Sequence, residues 1–179
     1  MLQKKILILI NIIFGTFLLY TYYRGISNNP GIGLKLWGGV PQIITPYIIY
    51  SMFISAAGYF FFTYYLLFNI DNNSIKILNT FNYSIFIIIY LFILIPSCFW
   101  IDLTITYLNN PSSLLWIIIC SILYTVGIFS IFLLIIFYSI KPDNPSYLYY
   151  ISLIGCIFFA FHTMILDGLL WTILFHKTG

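Results

Sequence analysis

The chain has 179 residues, of which 62% are hydrophobic and only 6% charged, and its formal net charge is +3. Ordinary soluble domains carry about 25% charged residues, so seven basic and four acidic side chains cannot cover a water-facing surface. With a mean hydropathy of +1.04 the composition specifies a multi-pass integral membrane protein. The small, scattered positive charge contains no basic run and excludes nucleic acid as a partner.

A hydrocarbon core of about 30 Å needs about 20 apolar residues of helix, and five segments supply them. The first covers residues 5–23 ("KILILINIIFGTFLLYTYY"). Lys4 and Lys5 precede it as in a signal peptide, but no small-x-small cleavage site follows. It reads as a retained helix whose Tyr20, Tyr22 and Tyr23 lie at the interface above Arg24.

Residues 24–46, "RGISNNPGIGLKLWGGVPQIITP", hold five glycines and three prolines. A connection of this length is usually functional or disordered. Leu34, Leu36, Trp37 and Val40 favour a loop that packs back on the bundle. The second span, 45–69, opens with Pro46 in its first turn, where a missing N–H costs nothing.

The third span is 82–102, with Pro96 expected to kink it and Asp102 at its end. The fourth is 113–139 and the fifth 146–175. "DNNS" at 71–74, "NNPSS" at 109–113 and "KPDNPS" at 141–146 make short turns, so consecutive helices are antiparallel. The fold class is an all-α bundle of five transmembrane helices, one domain over 1–179, with a long loop between the first two.

Membrane helices associate through small residues and interhelical hydrogen bonds. Ser152, Cys156, Ala160, Thr163, Asp167 and Trp171 are spaced three or four apart and share one face of the fifth helix. Ser51, Ser55, Gly58, Phe62, Tyr65 and Asn69 do the same on the second. Tyr83, Tyr90 and Ser97 align on the third, and Ser121 with Thr125 on the fourth. Cys98, Cys120 and Cys156 lie in apolar runs and show neither a redox nor a zinc spacing.

Of two histidines and four carboxylates, His162 and Asp167 fall inside the last span, where an ionisable group is by default a functional hypothesis. At about 100° per residue their five-residue separation puts them about 140° apart, so they are not expected to be partners. His162 suits a neutral side chain bonded to a neighbouring helix, an axial haem ligand or a proton-transfer group. Asp167 suits either a hydrogen bond across the bundle or a polar contact to a ligand.

"LIPSCFWIDLTITYLNNPSSLLW" at 94–116 and "PYIIYSMFISAAGY" at 46–59, with the five-helix layout and the Trp- and Pro-containing first loop, resemble the translocator protein family, also called tryptophan-rich sensory proteins. "AFHTMILD" is loosely similar to that family's fifth helix. Trp100 takes the place of the tryptophan ending its third helix. Ser97 stands where the family has asparagine, Asp102 replaces the proline just after that tryptophan, and "WGGVP" replaces Trp-x-Pro-Pro. The fifth helix lacks the family's proline, and only Asp167 answers the asparagine near its end.

The resemblance implies a pocket for porphyrins or sterol-like apolar ligands beneath the first loop, with porphyrin or haem as the implied cofactor. Trp37, Trp100, Asp167, Trp171 and His162 are the candidate ligand-binding residues; no catalytic or metal-ligating set is identified. A second reading is a structural or assembly subunit whose stripes bind other membrane proteins or a second copy of the chain. A membrane isomerase is a third, with fewer converging polar groups than such an enzyme needs.

Lys4, Lys5, Lys76 and Lys141 on one side against Arg24, Lys35 and Lys177 on the other lean towards a cytoplasmic N-terminus. With five spans, single cysteines placed beside Lys4 and Lys177 in a cysteine-free background should be labelled from opposite sides of the membrane. Labelling of both from one side would mean an even number of crossings.

Overall fold

The computed structural model describes residues 2–71 and 81–176. Five helices in it are long and apolar enough to cross a membrane. The first is α1 (Leu2–Ser27); a short helix, α2 (Ile32–Lys35), interrupts the first loop. Then come α3 (Thr45–Phe68), α4 (Ser84–Asn109) and α5 (Ser113–Ser139). The fifth span starts as α6 (Tyr147–Ala160), becomes π-helical over Phe161–Trp171, and closes with an α turn at Thr172–Leu174. The turn expected at 71–74 lies, apart from Asp71, outside the described residues, as do Lys76 and Lys177.

Two helix starts follow local chemistry. The Ser112 hydroxyl accepts from Leu115 N at 3.2 Å, and that of Ser146 accepts from Tyr149 N at 3.3 Å. Each satisfies one of the N–H groups that a helix start leaves unpaired. α4 does not stop at Asp102, as the sequence suggested, but passes Pro96 and runs on to Asn109. Its extension sets Asp102 beside Arg24, which α1 has carried past residue 23, and the two form an ion pair.

α1 packs along α4, α4 on α5, α5 on the fifth span, and α6 on α3; α3 meets α1 only sparingly and closes the ring. The tightest approach joins α3 and α6. A Cβ added to Gly58 would lie 2.6 Å from Gly155 Cα, and one on Gly155 would lie 2.7 Å from Gly58 Cα. Two serines flank this contact. Ser55 donates to Phe158 O at 2.9 Å, and Ser152 donates to Phe61 O at 3.0 Å. Both helices therefore carry the same Ser-x-x-Gly-x-x-Phe pattern, read in opposite directions.

The half of the bundle that holds the start of α1 is filled. Phe62, Leu66, Phe86, Ile89, Phe137 and Tyr149 are all fully buried there. Its polar atoms are satisfied: Thr63 and Tyr90 share a 2.6 Å hydrogen bond, Tyr59 donates to Asn11 Oδ1 at 2.5 Å, and Tyr83 donates to Leu66 O at 3.0 Å. The expected stripe on α5 is displaced. Ser121 and Thr125 bond to their own helix carbonyls, while Gly127 and Ser130 form the packed face. Ser130 meets Thr163 at 2.5 Å, and a Cβ on Gly127 would lie 2.9 Å from Met164 Cα.

Gly58→Ala forces two backbones apart, and overpacking of this kind costs about 1–3 kcal/mol. Its melting temperature in detergent should fall well below that of Ala57→Leu, a change at an exposed position of the same helix. Equal melting temperatures would show that the crossing is not tight.

Candidate functional site

The other half of the bundle, beneath the first loop, gathers most of the unusual side chains. Its distinctive element is the eleven-residue π-helical segment. Wherever such i→i+5 bonding occurs, residues five apart come onto one face. His162 and Asp167 therefore meet, with His162 Nε2 3.5 Å from Asp167 Oδ2. This overturns the expectation that they point apart, which assumed α geometry throughout. Hydroxyl groups support the irregular ladder at both ends. Thr163 donates to Phe159 O at 2.8 Å, and Thr172 donates to Gly168 O at 2.5 Å where i→i+4 bonding resumes.

The Gly58–Gly155 crossing continues along α3 and brings Ser51 to the other side of His162, Nδ1 to Oγ 3.2 Å. Ser51, His162 and Asp167 form a line of three polar side chains in an apolar setting. These are the residue types of a charge relay, but Ser51 sits in the second turn of α3, where backbone amides are committed to the helix. Acyl transfer needs N–H donors aimed at an oxyanion, and this turn offers none. Axial ligation of haem fits no better, because both His162 nitrogens face a partner and the side chain is only 9% exposed. Among the described residues no three His, Cys or Asp/Glu side chains are grouped to hold a metal ion.

Asp167 differs from its partner in being 37% exposed. A further aromatic residue, Tyr22 of α1, packs at this end of the bundle. Tyr22 was expected at the interface with Tyr20 and Tyr23. Those two are indeed exposed, but Tyr22 turns inward and stacks on Trp100, ring centroids 5.8 Å apart and planes 26° from parallel. Its neighbours on α1, Thr21 and Gly25, are buried and small, and that pairing was the signal that marked the packing face. Trp100 in turn meets Trp171 edge to face at 5.7 Å. Its indole Nε1 is sealed from solvent and has no hydrogen-bond partner.

The remaining aromatic residues form a wall. Trp116 lies 5.7 Å from Trp171 and stacks on Phe175 at 5.2 Å. Trp37 packs on the same cluster from the loop, so all four tryptophans of the chain converge. Trp171 is 4% exposed and donates its Nε1–H to Leu36 O at 2.9 Å, and Gly39 N donates to Phe175 O at 2.9 Å. Gly38, at φ 55°, lies so close that a Cβ would sit 2.5 Å from Phe175. The first loop is thereby fastened to the end of the fifth span.

The site residues expected from sequence thus divide. His162 and Asp167 meet, with Ser51 as an addition, and Trp100 packs between Tyr22 and Trp171. Trp171 and Trp37 are packing residues that hold the loop. Outside the bundle, a groove of about 330 Å³ runs between α3 and the π segment, lined by Tyr47, Ile48, Ser51, Phe161, Leu166 and Leu170. Ser51 lines this groove and bonds to His162, so the line of polar groups begins at the groove and ends at Asp167. No protein-family model, curated protein or solved structure matches the chain.

Trp171→Phe keeps the ring but leaves the Leu36 carbonyl without its donor, a loss of about 1 kcal/mol. Proteolysis within residues 28–44 should then be faster than in the unaltered protein, with the membrane spans still protected. An unchanged cleavage rate would detach the loop from Trp171.

Proposed function

We propose that the protein binds a small amphipathic ligand within the membrane, in the manner of the translocator proteins whose layout it resembles. The ligand has an apolar, ring-shaped body, tetrapyrrole- or sterol-like, and carries a polar group. The observation that carries this reading is the Trp100 indole N–H, buried and unpaired. A buried donor without an acceptor costs about 1–3 kcal/mol, and in a native protein it calls for an explanation. A ligand oxygen supplies the acceptor.

The surroundings suit such a ligand. Small-molecule sites combine aromatic side chains with a few polar groups, and this end of the bundle holds both, in Tyr22 stacked on Trp100 and in the His162–Asp167 pair. The reading as an assembly subunit has less support. The small-residue stripes it would use on α3 and α6 are occupied within the chain, by the Gly58–Gly155 contact and its two serines. The isomerase reading lacks further polar groups around His162 and Asp167.

Titration of the purified protein with a sterol analogue and with protoporphyrin, followed by tryptophan fluorescence, tests the proposal. Saturable quenching is expected, and Trp100→Phe should weaken binding roughly fivefold, the worth of about 1 kcal/mol. Linear quenching with either ligand would mean partitioning into detergent. Saturable binding of unchanged affinity in Trp100→Phe would take that residue, and the main support, out of the site.

A further inference from the structure

We infer that the groove between α3 and the π-helical segment binds a compact, uncharged alcohol dissolved in the membrane, whose hydroxyl donates to Ser51 Oγ. Trp100 does not line this groove, and the site is independent of the one proposed above.

The groove is a product of the irregular helix. The five-residue spacing that joins His162 to Asp167 also sets Phe161 and Leu166 on one wall, with Tyr47 and Ser51 on the other. Both walls belong to spans apolar enough to cross a membrane, so what enters comes from the lipid phase. The volume of about 330 Å³ is at the small end of ligand sites, which start at about 300 Å³.

Ser51 behaves unlike other serines of the bundle. Ser97 and Ser121 donate to carbonyls four residues back on their own helices, a common habit of helical serines. Ser51 turns instead to His162 Nδ1 at 3.2 Å. Asp167 Oδ2 faces the other ring nitrogen. A carboxylate there keeps the imidazole proton on Nε2, so Nδ1 accepts and Ser51 donates. A hydroxyl has one proton and two lone pairs. With its proton given to His162, Ser51 presents only lone pairs to the groove. An alcohol completes the chain, from its O–H to Ser51, Ser51 to His162 and His162 to Asp167, and each bond polarises the next. A ketone of the same shape has no proton to give. An unpaired hydroxyl is costly in hydrocarbon, which is what draws the alcohol to Ser51.

The direction of the groove selects against phospholipids. Ile44 and Leu170 line its end nearest the first loop, whereas Ser51 and Phe161 line the inner end. At 1.5 Å per residue Ser51 lies about 9 Å along α3 from Thr45. A head group held at the interface would meet apolar side chains, and an acyl chain would meet the hydroxyl. Among the described residues no charged side chain lines the groove, so an ionised ligand finds no counter-charge.

The experiment uses menthol and menthone, one ring body carrying a hydroxyl or a carbonyl, titrated calorimetrically into the purified full chain. Heats are corrected for partitioning into protein-free micelles. Menthol should bind saturably and roughly fivefold more tightly than menthone, the worth of one hydrogen bond. Ser51→Ala should abolish that preference. In a cysteine-free background, menthol should also slow labelling of Tyr47→Cys by a membrane-permeant maleimide severalfold. Tyr50→Cys, exposed on the same helix but outside the groove, should keep its rate. Menthone binding as tightly as menthol would overturn the inference, as would failure of menthol to saturate the unaltered protein. A preference that survives in a folded Ser51→Ala would overturn it, and so would binding that leaves the Tyr47→Cys rate unchanged. The two probes on the unaltered protein and the labelling rates decide the question even where Ser51→Ala does not fold.

Discussion

The contact between Gly58 and Gly155 governs the rest of the structure. Apolar side chains gain nothing from leaving lipid for each other, so membrane helices need close backbone approach and shared hydrogen bonds to choose a partner. Here both are combined. Two glycines let α3 and α6 touch, and the two serines three residues before them each donate to a carbonyl on the opposite helix. The arrangement fixes the relative height of the two helices as well as their rotation, because a slip of one turn would break both hydrogen bonds.

That height determines what meets at the other end. Once Gly155 sits on Gly58, the chain after Ala160 runs beside the start of α3, and Ser51 faces His162. The change to i→i+5 bonding then turns His162 and Asp167 onto a shared face. The helix accommodates this change because Thr163 and Thr172 supply side-chain donors to carbonyls at its two ends. An irregular ladder exposed to lipid would leave polar groups unsatisfied. Here hydroxyls satisfy them, and π-helical turns are found disproportionately at functional sites.

The two halves of the bundle differ in kind. In one, buried tyrosines spend their hydroxyls on Thr63, Asn11 and the Leu66 carbonyl, and nothing polar is left over. In the other, an indole N–H is unpaired and the Asp167 side chain is 37% exposed, while the first loop is tied down by Trp171 and Phe175. The contrast matters more than either half alone, since the same aromatic-rich composition serves both.

The sequence by itself determined the number of spans, their approximate limits and the packing faces of α3 and α6. The reason is local: in lipid the backbone must satisfy itself within each segment, so apolar length reads directly as helix. It also pointed to His162 and Asp167 as ionisable residues out of keeping with an apolar span, and to Trp100 through the family resemblance. What it could not give was their relation. The 140° between His162 and Asp167 follows from α geometry, and only the packed helix, with its Thr163 and Thr172 hydrogen bonds, departs from that geometry. The inward turn of Tyr22 and the role of Trp171 as a fastening for Leu36 likewise depend on partners far away in the chain. Helix length is decided by neighbours in sequence, whereas the register between helices and the direction of each polar group are decided by neighbours in space.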